Sequence, residues 1–325
     1  MTSMSTVVGV KDEVTYGTPV TVDRFFEIND EQVEPEVWRY ESNAMRSGLR
    51  VAQSARSEPA LIGAGGPVTL DVPTKGWGWW LKHLLGTTAT GSVTDSNYTH
   101  TGTVGSLYGD FFTMQIQRAF NPSGTLQQFT YHGGKVKSWS LGCDLDGVLV
   151  MEVDCDFEDV DTSTSAASVS YPSDFRVFSW AGGSYTIGGS AKEVRNFSIS
   201  GDNALNVGRR YQRTSPLKKE PVEDGLRSYE WSALVDFTDL TDYNRMVSNT
   251  RATIFDAVVG TWVGPIAHGG STLPQVQVTL PAARFDVGPP VSNGSAITCQ
   301  IGGKVLYDGT NSPVTITYRT TDATA

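Results

Sequence analysis

Trp139-Ser-Leu141-Gly-Cys143-Asp-Leu145-Asp-Gly147-Val-Leu149-Val-Met151-Glu-Val153-Asp-Cys155-Asp-Phe157 is the stretch from which the fold can be read. Apolar residues alternate with small or acidic ones on both sides of an Asp-Gly pair. That is the period-two pattern of two half-buried strands joined by a tight turn. Two turns compete. A two-residue Asp146-Gly147 loop would pair Trp139 with Asp154 and Leu141 with Glu152, setting carboxylates among apolar side chains. A three-residue loop over 145–147, with Gly147 left-handed, pairs Trp139 with Val153 and Leu141 with Met151. Only the second keeps every apolar residue on one face, and a slip of one residue would invert the strand. The three-residue register is expected.

The same alternation predicts strands at 68–72, 112–116, 231–237 and 276–280, separated by Gly-, Ser- and Thr-rich connections such as 87–96 and 161–170. Helices are few. Thr74 is placed to cap a short one carrying Trp77, Trp80, Leu81, Leu84 and Leu85 on one stripe, stopped by Gly86. Asp239 is placed to cap a second, with Leu240, Tyr243, Met246 and Val247 on one face. Each half runs in the same order. A charged loop (41–66, then 209–227) leads to a strand, a short helix and further strands, the last of them at 296–306 and 315–318. Identity between the halves is low. The economical reading is a mainly β chain of two tandem β-domains, 1–165 and 166–325, each with one short flanking helix.

Composition narrows the function. With 35 acidic against 25 basic residues the formal charge is −10, which argues against gripping nucleic acid through its phosphates. No run approaches the ~20 apolar residues of a membrane span, and no secretory leader pattern opens the chain. Cys143, Cys155 and Cys299 cannot make a closed disulfide framework and fit a reducing compartment. His83, His100, His132 and His268 have no metal-ligand spacing. Nucleophile elbow, phosphate loop and dinucleotide fingerprint are missing, so neither catalysis nor a cofactor is expected.

The strongest charged feature is Glu152, Asp154, Asp156 and Glu158, which strand spacing projects to one face, opposite Val153, Cys155 and Phe157. Three readings stay open: a Ca²⁺ site, a surface that repels polyanions, or a solvated strand face. The two charged loops carry Arg46, Arg50, Arg56 and Glu58 in the first, and Arg209, Arg210, Lys218, Lys219, Glu220, Glu223 and Asp224 in the second. Long connections of mixed sign suit docking to another copy of the chain, or are floppy surface.

Six stretches, in order, resemble one family. They are Glu13-Val-Thr-Tyr-Gly-Thr-Pro-Val20, Pro73-Thr-Lys-Gly-Trp77-Gly-Trp-Trp-Leu-Lys-His-Leu-Leu-Gly86 and Phe129-Thr-Tyr-His-Gly-Gly-Lys-Val-Lys-Ser-Trp139. The others are Phe197-Ser-Ile-Ser-Gly-Asp-Asn203, Lys218-Lys-Glu-Pro-Val-Glu-Asp-Gly-Leu-Arg227 and Val314-Thr-Ile-Thr-Tyr-Arg-Thr-Thr-Asp322. From about residue 10 onward the chain resembles the major tail tube proteins of long-tailed bacteriophages, with a bulkier Trp-rich helix.

That resemblance implies a structural virion protein with no active site, built in the host cytoplasm. It implies a β-sandwich whose sheets join between subunits into barrel rings, stacked into a hollow tube. Its implied partners are further copies of itself, the tape measure protein, the tail terminator and the distal tail proteins, with DNA only as transiting cargo. Such rings typically present six β-domains, so two domains per chain favour a trimeric, pseudo-hexameric ring over a hexamer. On this reading Ser138, Ser140, Glu152, Asp154 and Asp156 line the lumen, and the two charged loops reach a neighbouring subunit or ring. A carbohydrate- or receptor-binding sandwich that stacks sugars on its aromatics is the alternative.

Overall fold

A computed structural model describes residues 6–91, 93–119, 125–268, 270–286, 288, 290 and 297–325. The first half holds β1 (Val7–Asp12), β2 (Arg24–Phe26), β3 (Asp30–Glu31), β4 (Glu34–Glu41), β5 (Ser57–Asp71), α1 (Trp79–Leu85), β6 (Gly86–Thr90), β7 (Tyr98–Val104), β8 (Phe112–Ala119), β9 (Leu126–Asp144), β10 (Val150–Phe157) and β11 (Asp159–Asp161). The second holds β12 (Gly183–Ile187), β13 (Ser190–Lys192), β14 (Val194–Asp202), β15 (Leu205–Asn206), β16 (Val222–Glu223), β17 (Ser228–Asp236), α2 (Thr241–Val247), α3 (Arg251–Ile254), β18 (Phe255–Val263), β19 (Gln275–Arg284), β20 (Thr298–Lys304) and β21 (Thr315–Thr320). The protein is mainly β, as its alternation indicates.

The β9–β10 hairpin pairs Trp139 with Val153 and Leu141 with Met151, the register of the three-residue loop. The left-handed residue differs from expectation: Asp146 takes φ 63°, while the Gly147 N–H donates to Asp144 O at 3.0 Å. Asp tolerates that region because its short polar side chain can bond locally. Beyond Asp154 an extra residue on β9 makes a bulge.

Seven strands lie side by side as β4, β5, β10, β9, β14, β17 and β20, with β3 beside β4 on the same edge. β9 is long enough to serve two layers. Its later part pairs with β10 and β14, its earlier part with β8 and β11, and the strand turns at Gly133, φ 64°. A second sheet, ordered β13, β12, β18, β19, β21, β7 and β6, covers the apolar side of the first. Between them Phe197 meets Trp262 edge-on at 5.6 Å, and Trp231 meets Phe285 at 5.1 Å. Trp77, Trp80, Trp262 and Tyr318 are fully buried in a single cluster that draws on both halves.

Both halves share each sheet. β7, from the first, pairs with β21, from the second, over 98–104 and 315–320, and β9 pairs with β14. A cut near residue 165 therefore separates repeated patterns in the sequence but not separate sheets or cores.

Several local expectations change. The 41–66 stretch is a loop only over 42–56: β4 and β5 form a hairpin arm, and residues 57–66 belong to β5. Residues 87–90, read as part of a connection, belong to β6. Thr74 does not cap α1; its Oγ1 accepts from Arg176 N at 2.9 Å and bonds His268 at 2.8 Å. Gly86 does stop that helix, at φ 103°. Its added Cβ would lie 2.3 Å from Gly105 O, so no larger residue fits the turn. The second half has two short helices rather than one. On α2 only Met246 of the expected apolar face is buried; Leu240 and Val247 are exposed, and Asp242 is buried instead, paired with Lys192 and Arg245.

Candidate functional site

The side of the seven-stranded sheet turned away from the core is built by alternation, row by row. One row runs Thr69, Glu152, Ser140, Ser200, Glu230 and Lys304. The next runs Pro67, Asp154, Ser138, Asp202 and Ser228. On a third, Ser198 and Ser232 share a 2.9 Å hydroxyl contact. Glu152, Asp202 and Glu230 are exposed, while Lys137 reaches Asp154 at 2.9 Å. Ser138, Ser140, Glu152 and Asp154 line a shallow concavity of about 390 Å³ together with Ser200, Asp202, Ser228 and Glu230. The surface is small, hydroxylated and acidic.

Four of the five residues expected on this face are brought together. Asp156 departs from them. It shares their side of β10 by alternation, but the 209–219 segment folds over it, and it is 3% exposed. Lys218 Nζ donates to Asp156 Oδ1 at 2.5 Å, with both side chains buried. Arg210 anchors the same segment by donating to Ile62 O at 2.8 Å, and Arg209 donates to Glu220 O. Glu220 pairs with buried Lys135 at 2.6 Å and accepts from Gly109 N. Glu223 pairs with Arg227, Asp224 accepts from Asn206, and Lys219 lies over the Tyr211 ring. Much of the second charged loop is thus engaged within its own subunit.

The first charged loop is different. Arg46 and Arg50 are exposed on the turn of the arm, the Arg56 guanidinium closes that turn onto Ala44 O, and Glu58 pairs with Tyr40 across the two strands.

Beneath the second loop lies a crowded acid cluster. Burial pushes Asp156 up to about 6 and Glu158 up to about 7, and it lowers Lys218 and Lys135 despite their ion pairs. Glu13, Tyr16, Asp159, His132, Arg213 and Lys218 surround Glu158. Because the folded Glu158 holds its proton to a higher pH than the unfolded one, it adds stability below about pH 4.5 that is lost as pH rises through about 7. The stability difference between wild type and Glu158→Gln should therefore shift in favour of wild type as pH falls from 7.5 to 5.5. Urea unfolding at several pH values measures it; a difference that does not change with pH refutes the assignment.

Reactive chemistry is not assembled here. His83 bonds Asp12 at 2.9 Å, His100 bonds Thr90 at 3.0 Å, and His268 bonds Thr74, each in a separate place. Among the described residues no group of three or more His, Cys, Asp or Glu could hold a metal ion. Trp77 and Trp80 are 0% exposed and Trp79 8%, so they offer no stacking platform for a sugar.

Fold and face together define a β-scaffold that presents a broad polar sheet rather than a reactive pocket. The family model described as phage tail tube protein matches residues 5–320, and the chain belongs to that family, a structural component of the virion tail. No curated protein sequence matches it.

The sequence reading did not single out Ser198, Ser200, Asp202, Ser228, Glu230 or Ser232. Their signal was present in Phe197-Ser-Ile-Ser-Gly-Asp202 and Ser228-Tyr-Glu-Trp-Ser232, both alternating, but which face each strand turned outward depended on its pairing with β9.

Proposed function

We propose that the chain closes with its copies into rings that stack into a hollow tail tube, with the open face of the seven-stranded sheet lining the passage for DNA. That face carries the reading. Its rows are mostly carboxylates and hydroxyls, with Lys137 held by Asp154 and Lys304 exposed at the β20 margin, so they offer phosphates few cations to exchange for counterions and a duplex can slide along it. The sheet also has an open edge to satisfy. β4 is exposed along all eight residues, with Trp38 and Tyr40 among them, whereas the outer side of β20 is flanked by residues 282–286, with Asp286 N donating to Gly302 O and Ala283 bridged to Val305. A strand of a neighbouring copy added along β4 removes that edge.

The strand count favours three copies per ring. At ~4.8 Å between strands and ~40° tilt, about 21 strands make a backbone ring roughly 40 Å across, whereas six copies would give roughly 80 Å. The tape measure protein would fill the smaller passage during assembly in the host, and the tail terminator and distal tail proteins would meet its ends. Negative-stain and cryo-electron microscopy of the purified protein test this: threefold rings or stacked tubes are expected. Sixfold rings of identical subunits would overturn the trimer, and monomers that bind glycans would overturn the tube.

A further inference from the structure

A partly enclosed cavity of about 140 Å³ lies where the end of β2 meets residues 171–177, on the connection between the two halves. Its first wall is Phe25, 3% exposed and wedged against Val22 and Ala167, which fixes the ring. Tyr171 meets Phe25 edge to face, with ring centroids 6.4 Å apart and planes at 68°, so the two rings form a corner. Phe175 adds a third aromatic side. The segment that carries Tyr171 and Phe175 is pinned in place. Arg176 N donates to Thr74 Oγ1 at 2.9 Å, Thr74 N donates to Arg176 O at 2.7 Å, and Pro73 bridges Val177. The cavity is therefore shaped before any ligand arrives.

Its charge is uneven. Glu27 and Asp71 both line it, and among the described residues neither makes an ion pair. Asp71 is met by the neutral amide of Asn29 at 2.7 Å. Lys75, the cation on the described lining, donates instead to Ser173 O at 2.9 Å. Burial and the charge of Glu27 push the Tyr171 phenol up, so that carboxylate acts on the aromatic corner itself. Aromatic faces beside uncompensated carboxylates attract a cation and disfavour an anion. The volume is well below the ~300 Å³ at which ordinary ligand pockets begin, which excludes a nucleotide or an oligosaccharide and admits a single slender chain.

We infer that this cavity binds an alkylammonium ion, its charged head beside the Glu27 and Asp71 carboxylates and its stem against Phe25, Tyr171 and Phe175. The carboxylates and ring faces replace the water that the ammonium gives up, and the apolar walls take the stem. A free amine and the end of a lysine side chain present this same chemistry. The site uses none of the open-face rows and does not rest on the tube reading.

Ligand-observed saturation-transfer NMR on the whole protein tests it, because the signal is read on the small molecule whether the subunits are free or assembled. The probes are n-butylammonium, Nα-acetyl-lysine methylamide, 1-butanol and butyrate, at about 0.15 M salt to screen exposed charge. Butylammonium should bind with a Kd on the order of 1 mM, as suits so few atoms, and butanol and butyrate at least about tenfold more weakly. Binding of the lysine derivative as well would admit a partner's lysine, whereas butylammonium alone would assign the site to free amines. Glu27 is exposed, so Glu27→Gln should fold normally and weaken butylammonium about tenfold. Phe175→Leu keeps the charges but removes a ring face, and should weaken it about threefold. Equal binding of butanol marks a merely apolar cavity, and unchanged binding in both variants marks attraction to the acidic surface at large. Either result, or no butylammonium binding at about ten times the expected Kd, overturns the inference.

Discussion

Lys218→Ala should cost about 3–5 kcal/mol of subunit stability, because it leaves a buried carboxylate with no counter-charge. Asp156 is already held up near 6 by burial, its Oδ2 has no hydrogen-bond partner, and Lys218 is its one direct cation. The loss should shrink at pH 5 relative to pH 8. The orphaned Asp156 can take up a proton at the lower pH, and a neutral acid is much cheaper to bury. Replacing both partners with Leu should recover most of the stability, because the site then contains neither charge. Urea unfolding of the two proteins provides the comparison. A loss under about 1 kcal/mol in Lys218→Ala would mean that the 209–219 segment is not held by this pair. The same substitution should release Arg210 from Ile62 and expose the segment to protease.

The second large effect concerns the open face. Converting Glu152, Asp154, Asp202 and Glu230 together to Lys reverses its charge at the loss of the Lys137 ion pair to Asp154 and the Ala204 N–H bond to Asp202. The subunit should fold and assemble as before. Its behaviour toward DNA should invert: wild-type protein leaves duplex DNA free at 50 mM salt, whereas the variant retards it. The affinity should fall with log salt at a slope of about −3 to −4, roughly 0.9 for each phosphate neutralised. Phage carrying the variant should assemble tails yet lose infectivity by orders of magnitude, as DNA binds the wall it must pass. Fluorescence anisotropy with a labelled duplex and plaque counts measure the two effects. Unchanged infectivity with normal tails would show that this face does not meet the DNA.

The fold was legible where local alternation and turn chemistry decided it. Trp139, Leu141, Met151 and Val153 could be paired in advance because the competing two-residue turn sets carboxylates among apolar side chains. Four of the five residues expected on the open face followed from the same argument. Asp156 did not, since its burial depends on Lys218, some sixty positions further along and on a segment with no periodicity. The 87–90 stretch read as a loop because Thr and Gly mark turns as readily as strands; only its pairing with β7 makes it a strand. The sharing of sheets between the two halves was hidden for a similar reason. Pattern repeats show in a sequence, but the partnership of β7 with β21 joins residues roughly two hundred positions apart, and no local signal records it.

That last partnership has a consequence for synthesis. β21 leaves the ribosome roughly two hundred residues after β7, so one edge of β7 stays unpaired for on the order of tens of seconds. Such long-range pairing is slow to form, and an unpaired strand invites a second nascent chain to add to it. β7 carries Thr99, Thr101 and Thr103 on one face and Tyr98, His100, Gly102 and Val104 on the other, so its apolar residues sit only at its two ends. The hydroxyl-rich composition that hid this strand from the sequence reading keeps it harmless while it waits for its partner.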